Sequence, residues 1–217
     1  MKSIKQIKQL FLFIPAVLIY LSGYGQFKAD MHFITGGKER IFKVFSDNEN
    51  YRYEFDEAGQ QGVVISKQGS NEITILMPQQ KIAMKSSAGS PMTMGNDPVK
   101  VYEYYRNKNK IEQSGEESSG TGDDTNKIFQ VGKETVNGVE CTKSELWNKN
   151  ENVNQKMFTI WYSEKYNFPV KIVNHIDVSG QAEMELKNIS TWIPESDSFK
   201  IPDGYQIMEV PQTMPQK

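Results

Sequence analysis

The chain has 217 residues, with 25 Lys and Arg against 27 Asp and Glu and a formal net charge of −2. A mildly acidic chain without a basic cluster lacks the electrostatic footprint of a nucleic-acid or anionic-membrane binder. Its one cysteine, Cys141, excludes an intramolecular disulfide, so stability has to come from packing.

The first element is a leader. Lys2, Lys5 and Lys8 precede an apolar run from Leu10 to Leu21, and the small-x-small triplet Gly23-Tyr24-Gly25 follows. This is the layout of a cleavable secretory signal peptide. The apolar run is too short for a membrane span, which needs about 20 residues. Residues 1–25 are therefore expected to be removed, leaving Gln26 near the mature N-terminus. Losing three lysines leaves 22 basic residues against 27 acidic ones, a mature charge of −5. Export places the product in the periplasm or outside the cell, away from ATP and NAD. No cysteine closes the leader, so no lipid anchor is expected, and the mature chain shows no transmembrane segment. The expected product is a soluble single domain over residues 26–210.

Strand signals then follow one another. Phe27, Ala29, Met31 and Phe33 alternate with Lys28, Asp30, His32 and Ile34; Tyr51, Tyr53 and Phe55 alternate with Arg52, Glu54 and Asp56. Later, Phe158, Ile160 and Tyr162 share a face. So do Val170, Ile172, Ile176 and Val178, and so do Ala182, Met184 and Leu186. A period of two marks strands with one dry and one wet face, which antiparallel sheets allow. Gly36-Gly37, Asp47-Asn48, Ala58-Gly59, Gly69-Ser70-Asn71, Asn137-Gly138 and Ser179-Gly180 supply turns between them. Such short connections predict strands paired in sequence order. The Asn96-Asp97-Pro98 run resembles a helix start, with Val99, Tyr102 and Tyr105 on one stripe, whereas Val101 and the tyrosines favour a strand. Residues 107–127 are polar and read as a loop, and 211–217 as a frayed tail.

The C-terminal half carries a family resemblance. It runs Gly132 to Cys141, then Phe158-Thr159-Ile160-Trp161-Tyr162-Ser163, Phe168-Pro169-Val170-Lys171-Ile172 and Phe199-Lys200-Ile201-Pro202-Asp203-Gly204-Tyr205. Tyr51-Arg52-Tyr53-Glu54, Ile73-Thr74-Ile75-Leu76 and Lys81-Ile82-Ala83-Met84 match more loosely. These segments resemble secreted domains of the LolA/LolB-like superfamily of periplasmic lipoprotein carriers. The resemblance implies a mainly β fold: a strongly curved antiparallel sheet, an unclosed half-barrel, with one or two short helices or loops over its concave face. It also implies no catalysis and a hollow that takes acyl chains.

The residues themselves offer little catalytic chemistry. His32 and His175 lie on separate strands and read as surface residues. No metal cluster, serine elbow or phosphate loop stands out, and no cofactor is expected. Cys141 follows Val139 at strand spacing and reads as core filler. Glu183 and Glu185 read as solvated charge. Met77, Met84, Met92 and Met94 fall in one stretch, and methionine recurs on adaptable apolar surfaces. Two thioethers in Met92-Thr93-Met94 without a partner imidazole make a poor copper site. The expected ligand-lining set is Tyr53, Phe55, Ile75, Met84, Met92, Met94, Phe158, Ile160, Ile172 and Met184. Their expected partner is a lipid, an acyl chain or another hydrophobic small molecule. The alternative is an envelope interaction or sensor module of the same fold, whose partner is a protein.

Overall fold

Gly36 and Gly37, Ala58 and Gly59, and Asn137 and Gly138 hold positive φ at both central turn positions. This is the type I′ turn, whose twist matches that of the antiparallel ladder it closes. Short turns of this kind give the chain its strand order. A computed structural model describes residues 25–67, 70, 72–86, 126–149, 154–176 and 182–210. They form β1 (Gln26–Thr35), β2 (Lys38–Asp47), β3 (Asn50–Glu57), β4 (Gln60–Lys67), β5 (Ile73–Met77), β6 (Ile82–Ser86), β7 (Asn126–Val136), β8 (Val139–Lys149), β9 (Asn154–Ser163), β10 (Phe168–Asn174), β11 (Glu183–Thr191) and β12 (Gln206–Val210). No helix occurs among the described residues. The candidate helix or strand at 97–105 lies outside them, as does the tail 211–217. β7 starts at Asn126, so the last two residues of the polar 107–127 stretch belong to a strand.

β1 to β6 form one meander and β7 to β11 another. β1 pairs with β11, which joins them into a single sheet ordered β12-β6-β5-β4-β3-β2-β1-β11-β10-β9-β8-β7. Pairing in sequence order fails at the last strand. β12 runs parallel to β6, from Gln206 opposite Ile82 to Val210 opposite Ser86. Parallel partners are never joined by a tight turn; here residues 192–205 carry the chain from the end of β11 across the sheet to β12 beside β6.

The sheet curls strongly. Tyr51 on β3 and Phe168 on β10 are four strand spacings apart, roughly 19 Å in a flat sheet. Their ring centroids are 5.2 Å apart. The Tyr51 hydroxyl also donates to the Asn167 carbonyl at 3.1 Å. The face that carries both rings is therefore the concave one. At the other end of the sheet, Asn137 in the β7–β8 turn reaches β11, donating to the Leu186 carbonyl at 2.7 Å and to Glu185 at 2.8 Å. That carbonyl is available because β10 pairs β11 only over Lys171–Val173. Pro169 has no N–H to offer a ladder, and the β10 register shifts between Pro169 and Lys171. Of the expected common face Val170, Ile172, Ile176 and Val178, the first two do reach the same core. Val170 sits in the bulge, Ile176 lies beyond the strand end, and Val178 is outside the described residues.

A second, smaller core lies on the convex face. Val63, Ile65, Leu76 and Ala83 are buried there beneath Phe199, Ile201 and Tyr205 of the crossover. Arg52 on the same face ties the crossover down through its donation to the Ser198 carbonyl at 2.9 Å, and Trp192 packs on Phe45 at 5.1 Å. Among the described residues, the cover formed by 192–205 thus lies on the convex face.

Candidate functional site

On β1, β3 and β9 burial falls along the concave face from one end of the strand to the other, whereas Leu146 of β8 and Met184 of β11 stay fully buried. On β1, Phe27 is 0% exposed, Ala29 5% and Met31 8%, and Phe33 is only half-buried. β3 repeats this from Tyr51 and Tyr53 to half-buried Phe55, and β9 from Tyr162 and Ile160 to half-buried Phe158. At the packed end, Phe27 meets Tyr166 at 5.2 Å and Phe168 at 5.4 Å, with Tyr51 on the far side of Phe168. Edge-to-face packing of this kind adds to the area each ring buries. Toward the opposite end, Phe33, Phe42, Phe55, Phe158, Met77 and Ile82 are half-buried, and the exposed Arg40–Glu57 pair stands beyond them.

The expected lining residues sort along this gradient. Eight of the ten lie on the concave face. Ile160, Ile172 and Met184 stand side by side across β9, β10 and β11, and Phe33 of β1 continues the row. Tyr53, Val64, Ile75 and Met84 form a second row across β3 to β6, continued by Met208 of β12. Tyr53, Ile160, Ile172 and Met184 are buried and fill the core. Phe55, Ile75, Met84 and Phe158 keep accessible surface. Met92 and Met94 lie outside the described residues.

Phe33, Phe42, Met77 and Ile82 join the accessible group, although they are absent from the expected set. The β1 alternation places Phe33. Phe42 sits in the apolar pair Ile41-Phe42, whose phase the pattern leaves open. Met208, 46% exposed, reaches the row only through the parallel pairing of β12. Gly62 shapes the open end from below. A Cβ built there would lie 2.1 Å from the Phe55 ring, so only glycine lets the ring lie flat over β4. The Phe55 ring in turn meets Phe42 at 6.0 Å.

Among the described residues, no set of histidine, cysteine and carboxylate side chains converges on this face. Burial pushes the Cys141 thiol up to about 11, which keeps it protonated and a poor nucleophile. His32 bonds Glu39 at 2.6 Å, and His175 bonds the Thr159 hydroxyl at 2.8 Å on a different strand. Burial, helped by the Lys156 charge, lowers the His175 pKa. Glu183 and Glu185 are not simply solvated. Both are half-buried and pair with Lys171 at 2.6 and 3.6 Å. No cluster of three or more His, Cys, Asp or Glu able to hold a metal occurs among the described residues. No helix of those residues is long and apolar enough to cross a membrane. A cleft of about 250 Å³ between the β7–β8 and β9–β10 turns is lined by Lys133, Glu140, Glu164, Lys165 and Tyr166 among others. It contains none of the expected lining residues, and its walls are mixed in charge.

No protein-family model matches the chain. No curated protein matches it either. Solved structures do resemble it. An uncharacterized conserved protein from Thermus thermophilus superposes with a TM-score of 0.50 at 9% identity, over 87% of this chain and 93% of that one. A LolA superfamily protein from Nitrosomonas europaea gives 0.40 at 11% identity, over 82% and 90%. MucB of Pseudomonas aeruginosa, in complex with MucA, gives 0.48 at 11% identity, over 87% of this chain and 60% of MucB. These are likenesses of fold. The architecture is a single curved sheet whose edge strands, β12 and β7, do not close on each other.

Proposed function

We propose that this is an exported, non-enzymatic protein that binds a lipid acyl chain or a similar apolar molecule at the open end of its concave face. The observation that carries the reading is the burial gradient: the same face that is sealed around Phe27 and Phe168 ends in half-buried Phe33, Phe42, Phe55, Met77 and Ile82. Apolar surface left in water this way gains about 25 cal/mol per Å² when a chain covers it. Such a ligand needs shape and area more than polar anchors.

The test is titration with a fluorescent fatty acid, plus mass spectrometry of organic extracts of the exported protein. Saturable binding is expected, and Met84→Glu is expected to weaken it at least tenfold, because a carboxylate in the row repels an apolar chain. Failure to bind, in a protein whose circular dichroism shows β structure, would sink the reading. A second reading draws on the packed end. Tyr53, Ile160, Ile172 and Met184 already fill part of the face with the protein's own side chains. That favours an envelope interaction module whose partner is a protein. A clean extract, together with a specific protein captured by crosslinking at Met84, is the outcome that reading expects.

A further inference from the structure

We infer that the mature chain begins at Gln26 and that this residue is a modification site, closed on itself as pyroglutamate. The inference rests on the export reading and adds a covalent step to it. A cut after Gly23-Tyr24-Gly25 leaves Gln26 with a free α-amine.

The fold shows where that terminus lies. Gly25 is buried, and its N–H donates to the Lys165 carbonyl at 2.9 Å. It holds φ +85°, and a Cβ there would lie 2.3 Å from the Asn48 side chain. The Gly25–Gln26 bond is thus built into the sheet, one residue before fully buried Phe27. A peptidase has no access to it in the folded chain, so the cut precedes closure of β1 into the sheet.

Once cut, an ammonium at residue 26 would sit where the chain enters the aromatic core. The nearby Lys165 already places its own ammonium 4.9 Å from the Tyr166 ring centroid, and Tyr166 packs on Phe27. A positive charge here is unfavourable unless it is hydrated or paired, and the carboxylate of Asp47, opposite Gln26, already accepts from the Glu49 and Asn50 N–H groups and the Asn50 side-chain amide. Cyclisation removes it. The free amine, with a pKa of about 8 and so partly neutral near pH 7, attacks the side-chain carbonyl carbon Cδ. A C–N bond forms, the Cδ–Nε2 bond breaks, and Nε2 leaves as ammonia, taking the one proton that the α-nitrogen sheds. Nothing is oxidised or reduced. The lactam is neutral and keeps one N–H on residue 26. Its ring leaves the residue 26 carbonyl free, so β1 can keep Gln26 opposite Asp47.

The experiment uses the full chain expressed in an exporting bacterium and recovered from the envelope or the medium. Peptide mass spectrometry is expected to find one N-terminal peptide starting at residue 26 and lighter by one ammonia. That terminus should resist Edman degradation until pyroglutamyl peptidase opens it. Gln26→Ala should start at the same residue with a free amine. A synthetic peptide of residues 26–33 carried through the same handling should keep its ammonia. A mature chain with uncyclised Gln26, or a control peptide that cyclises as fully, overturns the modification while leaving export intact. A recovered chain that retains residues 1–25 overturns the export reading as well.

Discussion

The two ends of the concave face are built from the same strands and the same alternation, yet they pack differently. At one end, Phe27 of β1, Tyr51 of β3 and Tyr162, Tyr166 and Phe168 of the β9–β10 hairpin close on one another. At the other, Phe33, Phe42, Phe55, Phe158, Met77 and Ile82 face inward without reaching full burial. Curl explains the difference. The β3–β10 contact draws the two halves of the sheet together where the rings are large and the turn at Asn167 can be bonded from Tyr51 and Tyr162. Stability is concentrated at the sealed end, and accessible apolar surface at the open one.

The sharpest way to break this comparison is to truncate one ring at each end. Phe168→Ala removes a fully buried ring and is expected to cost ~3–5 kcal/mol in urea denaturation. Phe55→Ala should cost about half as much, because its ring is only partly removed from water. Equal losses would mean that the open end is as firmly packed as the sealed one. Gly62→Ala pushes a methyl into the Phe55 ring. It should destabilise by about 1–3 kcal/mol through overpacking and also alter fatty-acid binding. A change in stability with unchanged binding would separate Phe55 from the ligand site.

The convex face offers a control. Arg52→Ala loses the bond to Ser198 and should cost about 1 kcal/mol, with binding at the concave face unchanged. The smallest effect concerns pH. Burial depresses the folded-state pKa of His175 below its ordinary value of 6.5. The unfolded chain therefore binds more protons in the window just below 6.5, and stability rises with pH up to that point and then levels off. His175→Gln should flatten that part of the profile, read as the urea midpoint across mildly acidic pH.

Much of the fold is legible in the residues. The alternations at 27–33, 51–55, 158–162 and 182–186 place the dry face because a strand turns its side chains over every second residue. Gly36-Gly37, Ala58-Gly59 and Asn137-Gly138 place the turns because few residues tolerate φ above zero. Legibility stops at Ile41-Phe42 and at Val63, where apolar neighbours on both faces hide the phase. It stops again at β12, whose parallel partner is more than a hundred residues away. For the site, the sequence names which side chains turn inward. It does not tell Ile160, sealed in the core, from Phe158, two residues along the same strand.

The sequence by itself determined a β architecture, its turns and the composition of its inner face, because these follow from local geometry and from a two-residue period. Tertiary structure alone decided which inward residues are buried and which stay accessible. That choice depends on how far the sheet curls, and curl is set by contacts such as Tyr51 with Phe168, between residues that no local pattern brings together.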